Sequence, residues 1–402
     1  MKVAVIFHRL GPYHVARLAA AAAARLELTA VELSSETREY AWEAVESGKS
    51  FQRVTLFPES DSRAATSGEV KRRLRQALEA ARPAVVVVPG WSDAGALAGL
   101  EWCGERGVPV VVMSESTAWD ERRVGWKEWI KRRVVGGFSA ALVGGTPQAD
   151  YLAQLGLPRE RIFFGYDAVD NDYFAGKAAE VRSQRSEVRG QHGLPEKFFL
   201  ASARFIEKKN LPRLIEAYAR YRAKAESGKR KAEMWDLVLL GDGSLREVLN
   251  QQLATLNLQP FVHLPGFKQY AELPAYYGLA GAFIHASTTE QWGLVVNEAM
   301  ASGLPVLVSN RCGCAADLVQ EGVNGFTFDP GDVEQLAQLM LEISAINFPL
   351  AQFGAESTRI IANWGPERFA SGLKSAVDQA VSAGPVNPSW MQRALVRLLL
   401  RR

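Results

Sequence analysis

The sequence predicts an α/β protein with two doubly wound, Rossmann-like domains that face a central cleft. Its 402 residues, 48% hydrophobic and 23% charged, are more than one ordinary hydrophobic core needs. Short apolar strands alternate with helices in both halves of the chain, which is typical of parallel sheets covered on both faces. A polar stretch between the halves, residues 176–197, interrupts this alternation and indicates a linker region.

The individual strands are predicted from short apolar runs. In the first half these are residues 2–7, 84–88, 108–113 and 140–143, with a helix over 92–103 after the second. In the second half they are residues 198–203, 237–240, 261–264, 281–285 and 305–309. Ligands of such sheets bind beyond the carboxyl ends of the strands, so the cleft between the two domains is the expected active site.

Composition excludes several classes of protein. The apolar run at residues 3–7 is too short for a signal peptide, and no stretch reaches the roughly 20 apolar residues of a membrane span, so we expect a cytoplasmic protein. The net charge of +3 says little about partners, and no nucleic-acid partner is expected. Cys312-Gly313-Cys314 lacks nearby residues to complete a zinc site, so no metal is expected.

The most informative stretch is residues 290–306, which follows a predicted strand and begins a helix near Leu294. A helix start presents unpaired amides and a partial positive charge, which suit a phosphate. The amides in question belong to Gly293, Leu294 and Val295. Glu290 would lie on the loop beside them. Glu298, one turn into an apolar helix, needs a partner such as a ribose or sugar hydroxyl, although a solvated Glu290 and an internally paired Glu298 are equally good interpretations of the spacing.

Two glutamates with seven residues between them, followed by Ala-Ser-Gly-Leu-Pro-Val at 301–306, resemble the donor motif of family 4 retaining glycosyltransferases. The resemblance implies the GT-B fold, which pairs two Rossmann-like domains. It also implies that Glu290 contacts the transferred sugar and that Glu298 holds the ribose.

A second segment, residues 203–210, carries Arg204 and Lys209 between a predicted strand and the helix that begins at Leu211. Two cations there suit a pyrophosphate, Arg through its fork geometry and Lys as a point charge, whereas the plainer interpretation is two surface charges. The segment is similar to the family's Arg and Lys pair, which neutralises the leaving diphosphate.

Two shorter matches follow. Gly241-Asp242-Gly243 resembles the family's glycine turn, although an ordinary strand-to-helix loop has the same composition. Phe267 lies in a segment that resembles the nucleobase site, although it could equally belong to the core.

The first half departs from the family's pattern. Where many members carry two adjacent glycines, residues 8–14 leave Gly11 as the one candidate for close approach to the donor. Where many carry a sugar-contacting histidine, this chain has Ser114 and Glu115. With His14, these two are the candidates for contacting the sugar or the acceptor.

These observations give a complete prediction. The domains are an acceptor-binding domain (1–175), the linker region (176–197), a nucleotide-sugar donor domain (198–365), a helix that crosses back to the first domain (366–384) and a basic amphipathic tail (385–402). The reaction is retaining and metal-independent, with no cofactor and a UDP or GDP sugar as co-substrate. The acceptor is a glycan or a lipid-linked molecule of polysaccharide or glycolipid synthesis. A nucleotide-sugar epimerase on the same fold and a non-catalytic nucleotide-sugar binding protein are the alternatives.

Two basic, amphipathic segments favour contact with an anionic membrane. In residues 122–134, Trp126, Trp129, Ile130 and Val134 form one helical stripe, and residues 390–402 contain four arginines and no acid. The alternative is that the stripe packs in the core and the tail packs on the first domain. The hypothesis is peripheral attachment to the inner face of the cytoplasmic membrane.

Overall fold

The structure is a computed structural model that describes residues 1–35, 45, 50–58, 60–227 and 233–401. It divides into two compact units, one formed by Met1–Asp170 with Trp364–Arg402 and the other by Asn171–Asn363. Arg402, predicted as part of the basic tail, lies outside the described residues. The predicted fold class is confirmed, because each unit contains a parallel sheet flanked by helices.

The helices and strands are numbered along the chain. The strands are β1 Lys2–Phe7, β2 Glu27–Ser34, β3 Gln52–Phe57, β4 Val85–Pro89, β5 Val110–Ser114, β6 Ala140–Val143, β7 Ile162–Phe164, β8 Phe198–Ser202, β9 Asp236–Leu240, β10 Val262–Gly266, β11 Ala282–His285, β12 Val306–Ser309 and β13 Gly325–Phe328. The helices are α1 Pro12–Ala23, α2 Ser67–Ala81, α3 Ala94–Arg106, α4 Gly125–Val135, α5 Thr146–Gln154, α6 Asn171–Ser183, α7 Arg185–His192, α8 Leu211–Glu226, α9 Arg246–Thr255, α10 Leu273–Leu279, α11 Leu294–Ala301, α12 Ala315–Leu318, α13 Val333–Ile343, α14 Leu350–Ile361, α15 Pro366–Ala383 and α16 Trp390–Leu399.

Both sheets are wound in the same order. The first runs β3-β2-β1-β4-β5-β6-β7 and the second β10-β9-β8-β11-β12-β13, with every pair of neighbouring strands parallel. Their central strands are almost entirely buried, as in β4 and β6, because helices cover both faces. In each sheet the order reverses beside its first strand, at β1 and β4 and at β8 and β11, where open α/β sheets bind ligands.

The region predicted as a linker is largely helical. Residues 176–197 fall mostly within α6 and α7, and both helices belong to the second unit. Phe174 and Ala178 of α6 are fully buried, whereas α7 buries no residue. Because these helices bury so few side chains, the sequence lacks the sustained apolar period that would have indicated them.

The helix over 366–384, predicted to cross back, is α15, which lies in the first unit and packs against α1, β6 and β7. Leu373 of α15 is fully buried. A Cβ added to Gly372 would lie 2.0 Å from the backbone oxygen of Phe164. The distance between α15 and β7 therefore leaves room only for glycine at this position. The predicted basic tail forms α16, which packs on α3 and α4. Among the described residues, no helix is both long and apolar enough to span a membrane.

If α15 is part of the core of the first unit, Leu373→Ala should lower the free energy of unfolding by about 3 kcal/mol, the usual cost of a cavity in a well-packed core. Ser375→Ala, on the exposed side of the same helix, is the matched control and should change stability by less than about 0.5 kcal/mol. Denaturant unfolding of both variants measures the difference. Equal effects would contradict the packing of α15 in this core.

Candidate active site

Two loops meet at the switch point of the second sheet. One follows β8 (203–210) and the other follows β11 (286–293). The amide of Thr288 donates to the backbone oxygen of Lys208 at 2.9 Å. The side-chain amide of Asn210 donates to the backbone oxygens of Ala286 at 3.0 Å and Pro330 at 2.8 Å. These bonds hold the loop of predicted phosphate-binding cations against the loop that carries Glu290.

Asn210 is a residue whose role the sequence analysis missed. It is buried, and its φ of +58° lies in the left-handed region that asparagine tolerates better than most residues. An asparagine directly before a Leu-Pro helix start is the signal that could have identified it as a turn-forming residue.

Glu290 forms the centre of a charged cluster. Lys209 Nζ donates a hydrogen bond to its Oε2, and Lys208 Nζ lies 3.8 Å from its Oε1. Ser287 Oγ donates to Oε2 at 3.4 Å, and His285 Nε2 lies 3.6 Å from the same oxygen. The Glu290 side chain is 13% exposed, so it is not a solvated loop acid.

The surroundings of Glu290 keep it ionised. Burial disfavours the carboxylate, but the hydrogen bond to His285 and the positive charges of Lys209 and Lys208 outweigh it and hold the pKa well below its usual range. Burial also lowers the pKa of His285, so its ring is neutral at pH 7. The cluster therefore presents an ionised carboxylate directly paired with a lysine.

The start of α11 has the geometry of an anion site. Its N-cap, Gly293, has a φ of +104°, and a Cβ there would lie 3.3 Å from His285 Nε2. The positive φ favours glycine there, and a side chain would in addition be in tight contact with His285. The helix has no side-chain cap, so the amides of Leu294 and Val295 lie at an uncapped helix end next to Glu290, whereas Val296 N donates to Gly293 O at 2.9 Å.

The loop after β12 braces this helix start. Glu290 N donates to the backbone oxygen of Arg311 at 3.1 Å, and Glu290 O accepts from Gly313 N at 3.0 Å. Cys312 and Cys314 beside them are buried and form no disulfide, and burial raises the pKa of the Cys312 thiol. Within the described ranges, no cluster of three metal-ligating side chains occurs.

Glu298 is 1% exposed and has a partner inside the protein. Tyr277 Oη donates to its Oε2 at 2.6 Å. Burial, together with the negative charge of Glu298, raises the pKa of Tyr277 well above its usual value, so the phenol keeps its proton. The internally paired interpretation is thus correct for one oxygen, and a ribose as a further partner stays a prediction.

The glycine turn shapes the segment that carries Arg204. Gly241 has a φ of +126°, and a Cβ there would lie 1.9 Å from the backbone oxygen of Ala203. Its amide donates to Gly266 O at 3.0 Å. Gly241 therefore lets two backbones approach closely, and its contact with the donor stays a prediction. Arg204 itself is partly exposed.

Phe267 lies directly after β10 and is 40% exposed. It is therefore not a core residue, and its ring is accessible at the carboxyl edge of the second sheet.

The remaining predicted site residues lie in the first unit. Gly11 is the N-cap of α1, with a φ of −116° that any residue adopts and room for a Cβ, so the structure gives no reason for glycine there. Its amide donates to His14 Nδ1 at 3.1 Å. Burial, with Arg17 and His8 nearby, lowers the pKa of His14 to about 3, so its ring is neutral.

Ser114 ends β5 and is buried, and its Oγ accepts from the Ser116 amide at 3.2 Å. Glu115, the next residue, is partly exposed. A further buried acid, Glu32, was missed by the sequence analysis. It accepts from Leu10 N at 3.0 Å and from Arg53 Nε at 2.8 Å, and it thereby fixes the loop after β1.

Two family models match the chain. The model described as Glycosyl transferases group 1 matches residues 184–358, and the model described as Glycosyl transferase 4-like domain matches residues 11–164. Together the two matches take in most of both units, and the first includes every predicted site residue of the second unit.

Relatives of known name match over part of the chain. Alpha-monoglucosyldiacylglycerol synthase of Acholeplasma laidlawii is 28% identical over 170 residues, which are 42% of this chain and 40% of that protein. Sulfoquinovosyl transferase SQD2 of Arabidopsis thaliana is 35% identical over 170 residues, 41% of this chain and 30% of that protein. The chain thus matches less than half the length of these two relatives.

Solved structures are similar over nearly the whole chain. Anabaena HepE in complex with UDP and glucose has a TM-score of 0.69 at 19% identity, covering 94% of this chain and 99% of that one. Sucrose-phosphate synthase from Thermosynechococcus elongatus has a TM-score of 0.73 at 16% identity, covering 95% and 100%. At these identities the likeness concerns the fold alone, and it confirms the predicted GT-B class.

The pairing of Lys209 with Glu290 predicts a pH-dependent change in stability. Because the folded-state pKa of Glu290 is depressed, its ionised form stabilises the fold above its unfolded-state pKa, and this contribution is lost as the pH falls below about 4.3. We expect the stability advantage of the wild type over Lys209→Met to shrink as the pH is lowered from about 6 to 3. Lys208→Met, which removes the cation 3.8 Å away, is the matched control and should show a smaller change. A pH-independent difference for Lys209→Met in denaturant unfolding would contradict the pairing.

Proposed function

Because the chain belongs to the glycosyl transferases group 1 family, we propose that it transfers a sugar from a nucleoside diphosphate sugar to an acceptor hydroxyl and retains the anomeric configuration. The observation that carries the proposal is the Lys209–Glu290 pair beside the open start of α11. It places a cation, a helix dipole and an ionised carboxylate at one switch point.

Stabilising the leaving diphosphate is the main chemical task. Negative charge develops on the diphosphate as its bond to the anomeric carbon breaks, and preorganised donors that face that charge lower the barrier. Lys209, Arg204 and the first-turn amides of α11 are the groups that would do this, without a metal ion. Arg204 would bind the phosphates through its fork geometry, and Gly293 would let a phosphate oxygen come close to the amides.

Glu290 and Glu298 would hold the sugar and the ribose. Both are ionised or hydrogen-bonded inside the protein, so each presents an acceptor of fixed direction to a hydroxyl. The exposed ring of Phe267 at the same edge of the sheet would lie against the nucleobase. The HepE structures contain UDP and glucose, which supports a uridine donor here, with guanosine as the alternative.

Retention follows from attack on the face that the diphosphate leaves. The acceptor oxygen forms the new bond to the anomeric carbon, the bond from that carbon to the phosphate oxygen breaks, and the acceptor proton passes to the departing phosphate. Glu290 would not act as a nucleophile on this route, because Lys209, Ser287 and His285 already surround its Oε2.

Removing either cation should cut turnover without unfolding the protein. We expect Arg204→Ala and Lys209→Ala each to lower kcat about 100-fold, the scale for losing one preorganised charge-stabilising group. Lys197→Ala, an exposed lysine of the same unit, is the control and should leave kcat unchanged. Release of nucleoside diphosphate is measured with a panel of UDP, GDP and ADP sugars in the presence of EDTA.

Near-normal kcat in both variants would overturn the assignment of the diphosphate site. Loss of wild-type activity in EDTA that magnesium restores would replace it with a metal-bound diphosphate. Conversion of the sugar without any acceptor would favour the epimerase.

The acceptor is proposed to be membrane-proximal. The aromatic stripe of α4 divides in two: Val134 is buried and Ile130 packs against the core, whereas Trp126 and Trp129 are 57% and 46% exposed. Val396 and Leu400 of the tail are buried, so most of the tail's apolar face packs on the first unit and is not available to lipid.

What remains on the surface supports contact with lipid headgroups. Trp390, at the start of α16, is 77% exposed, and the side-chain amide of Gln392 donates to Arg133 O, which joins α16 to the end of α4. Tryptophans with surrounding arginines are typical of membrane interfaces. A lipid-linked or glycolipid acceptor at the inner face of a cytoplasmic membrane would then be within reach of the first unit.

Exchanging the exposed tryptophans should weaken binding to anionic vesicles. We expect Trp126→Ser with Trp129→Ser to sediment less with anionic vesicles at low salt than the wild type, because interfacial rings and nearby cations both contribute. Ile346→Ser, which removes an exposed apolar side chain of the second unit, is the control. A wild type that fails to sediment with anionic vesicles at low salt would indicate a soluble acceptor.

A further inference from the structure

A cleft opens in the first unit beneath α16. Its walls are contributed by α3, by the end of α4, by α16 and by the segment between α15 and α16. Its volume is about 70 Å³, whereas about 10–15 Å³ holds one water molecule, so the cleft has room for several atoms of a ligand. The diphosphate site belongs to the second unit, so the cleft has no part in it.

The inside of the cleft is apolar. Leu100 and Cys103 of α3, Val134 of α4 and Val396 of α16 line it, and all four are buried. Because α16 packs on α3 and α4, a bilayer surface cannot reach Val396, but a hydrocarbon chain that enters the cleft can contact it. Cavities with such a lining stay dry and take up apolar molecules. The inside of the cleft therefore suits a hydrocarbon chain.

The mouth of the cleft is basic. Arg133 near the end of α4 and Arg393 of α16 line it, and both are exposed. Gln392 Nε2 donates to Arg133 O at 3.1 Å, which places the two arginines at the same end of the cleft. The Arg133 guanidinium lies 5.3 Å from the centre of the Trp129 ring, and Arg393 Nε donates to Pro388 O at 3.0 Å. These partners are neutral, so they do not offset the positive charge of either arginine.

Two acids also line the cleft, and each has cations of its own. Glu101 Oε2 lies 2.6 Å from Lys71 Nζ, and its Oε1 lies 3.1 Å from Arg397 Nε. Glu105 forms an ion pair with Arg75 and lies 3.8 Å from the Arg397 guanidinium. The negative charges of the lining are thus neutralised, and the mouth keeps a net positive charge that suits an anionic ligand.

Each arginine of the mouth follows an exposed tryptophan on its own helix. Trp129 lies one helical turn before Arg133, and Trp390 lies one turn before Arg393. The tryptophans are 46% and 77% exposed. Tryptophan beside arginine is typical of surfaces at the level of lipid headgroups. An apolar cleft behind a basic mouth with two tryptophans matches a phospholipid, which joins hydrocarbon chains to a phosphate.

The cleft lies at the amino edge of the first sheet. Val110, which begins β5, lines it, and just before β6 Ser139 Oγ donates to Gly384 O at 3.0 Å, in the segment that leads to α16. Ligands of such sheets bind beyond the carboxyl ends of the strands, which is the opposite edge. A molecule in the cleft is therefore bound apart from the reacting sugar and is not the acceptor.

We propose that the cleft binds one anionic phospholipid, with an acyl chain between α3 and α16 and the phosphate on Arg133 and Arg393. The site goes beyond the glycosyl transfer and the vesicle contact proposed above, because it holds a single lipid at a defined place and needs no membrane surface. The lipid bridges α16 and α4, so it stabilises the folded protein as its concentration rises.

Binding of a monomeric lipid tests the site without sugar and without a membrane. Dihexanoyl phosphatidylglycerol, kept below its micelle concentration, should bind the full chain at one site in titration calorimetry and raise its melting temperature. Glycerol 3-phosphate, which lacks the chains, and dihexanoylglycerol, which lacks the phosphate, should each bind at least about tenfold more weakly, because each fills only part of the site. Octanoate that binds as tightly as the phospholipid would assign the cleft to fatty acids and overturn the proposal.

Three variants locate the lipid. Arg393→Gln removes a phosphate donor and should weaken binding about tenfold. Arg401→Gln, the same change at an exposed arginine outside the cleft, is the matched control and should stay within about twofold of the wild type. Val386→Trp fills the cleft from a partly exposed position between α15 and α16, so it should abolish binding while the melting temperature without lipid is unchanged.

A wild type that binds no phospholipid at millimolar concentration would overturn the site, and so would equal binding by the wild type and all three variants. These measurements contain no nucleotide sugar and no vesicles. A failure of the proposed glycosyl transfer or of vesicle sedimentation would therefore be seen separately from a failure of the lipid site.

Discussion

The site depends on one topological constraint, the parallel pairing of β8 with β11. The chain leaves these neighbouring strands for opposite sides of the sheet, so their loops separate and open a crevice. Arg204, Lys209 and Glu290 all lie on those two loops. The hydrogen bonds from Asn210 and Thr288 then fix the distance between them, because each joins one loop to the other. A change in the pairing of β8 with β11 would move Lys209 away from Glu290 even if neither of these two residues were substituted.

The residues around Glu290 explain why its carboxylate is ionised although it is mostly buried. An isolated carboxylate with the burial of Glu290 would take up a proton, but the lysines and His285 around it reverse that tendency. Lys209 would in turn be costly to bury without Glu290. Each charge thus offsets the desolvation cost of burying the other, and the two side chains stay fixed as a pair. A diphosphate arriving at α11 would meet a lysine whose position is already fixed, so little ordering would remain to oppose binding.

The fold, and the placement of Lys209 and Glu290 beside the start of α11, were largely predictable because their signals are local. Continuous apolar strands indicated the sheets, and the strand, glycine and helix order around Gly293 indicated the anion site. What the sequence did not reveal depended on contacts between residues distant in the chain. The amide of Gly241 is bound to Gly266, which no local pattern reveals. Residues 176–197 were taken for a linker because α6 and α7 bury few side chains, and Glu32 was missed because it is defined by a partner on another strand.

The two units treat acidic residues in different ways, and the difference follows from the cations around them. Glu290 lies beside two lysines and ionises despite burial, whereas Asp167 has one guanidinium, Arg17, and a competing acid beside it. One cation does not offset the burial of Asp167 and the negative charge of the acid beside it, so the pKa of Asp167 lies well above its ordinary value. The first unit therefore holds a buried acid whose protonated form is favoured, while the second brings a lysine and an uncapped helix start together, which suit a phosphate.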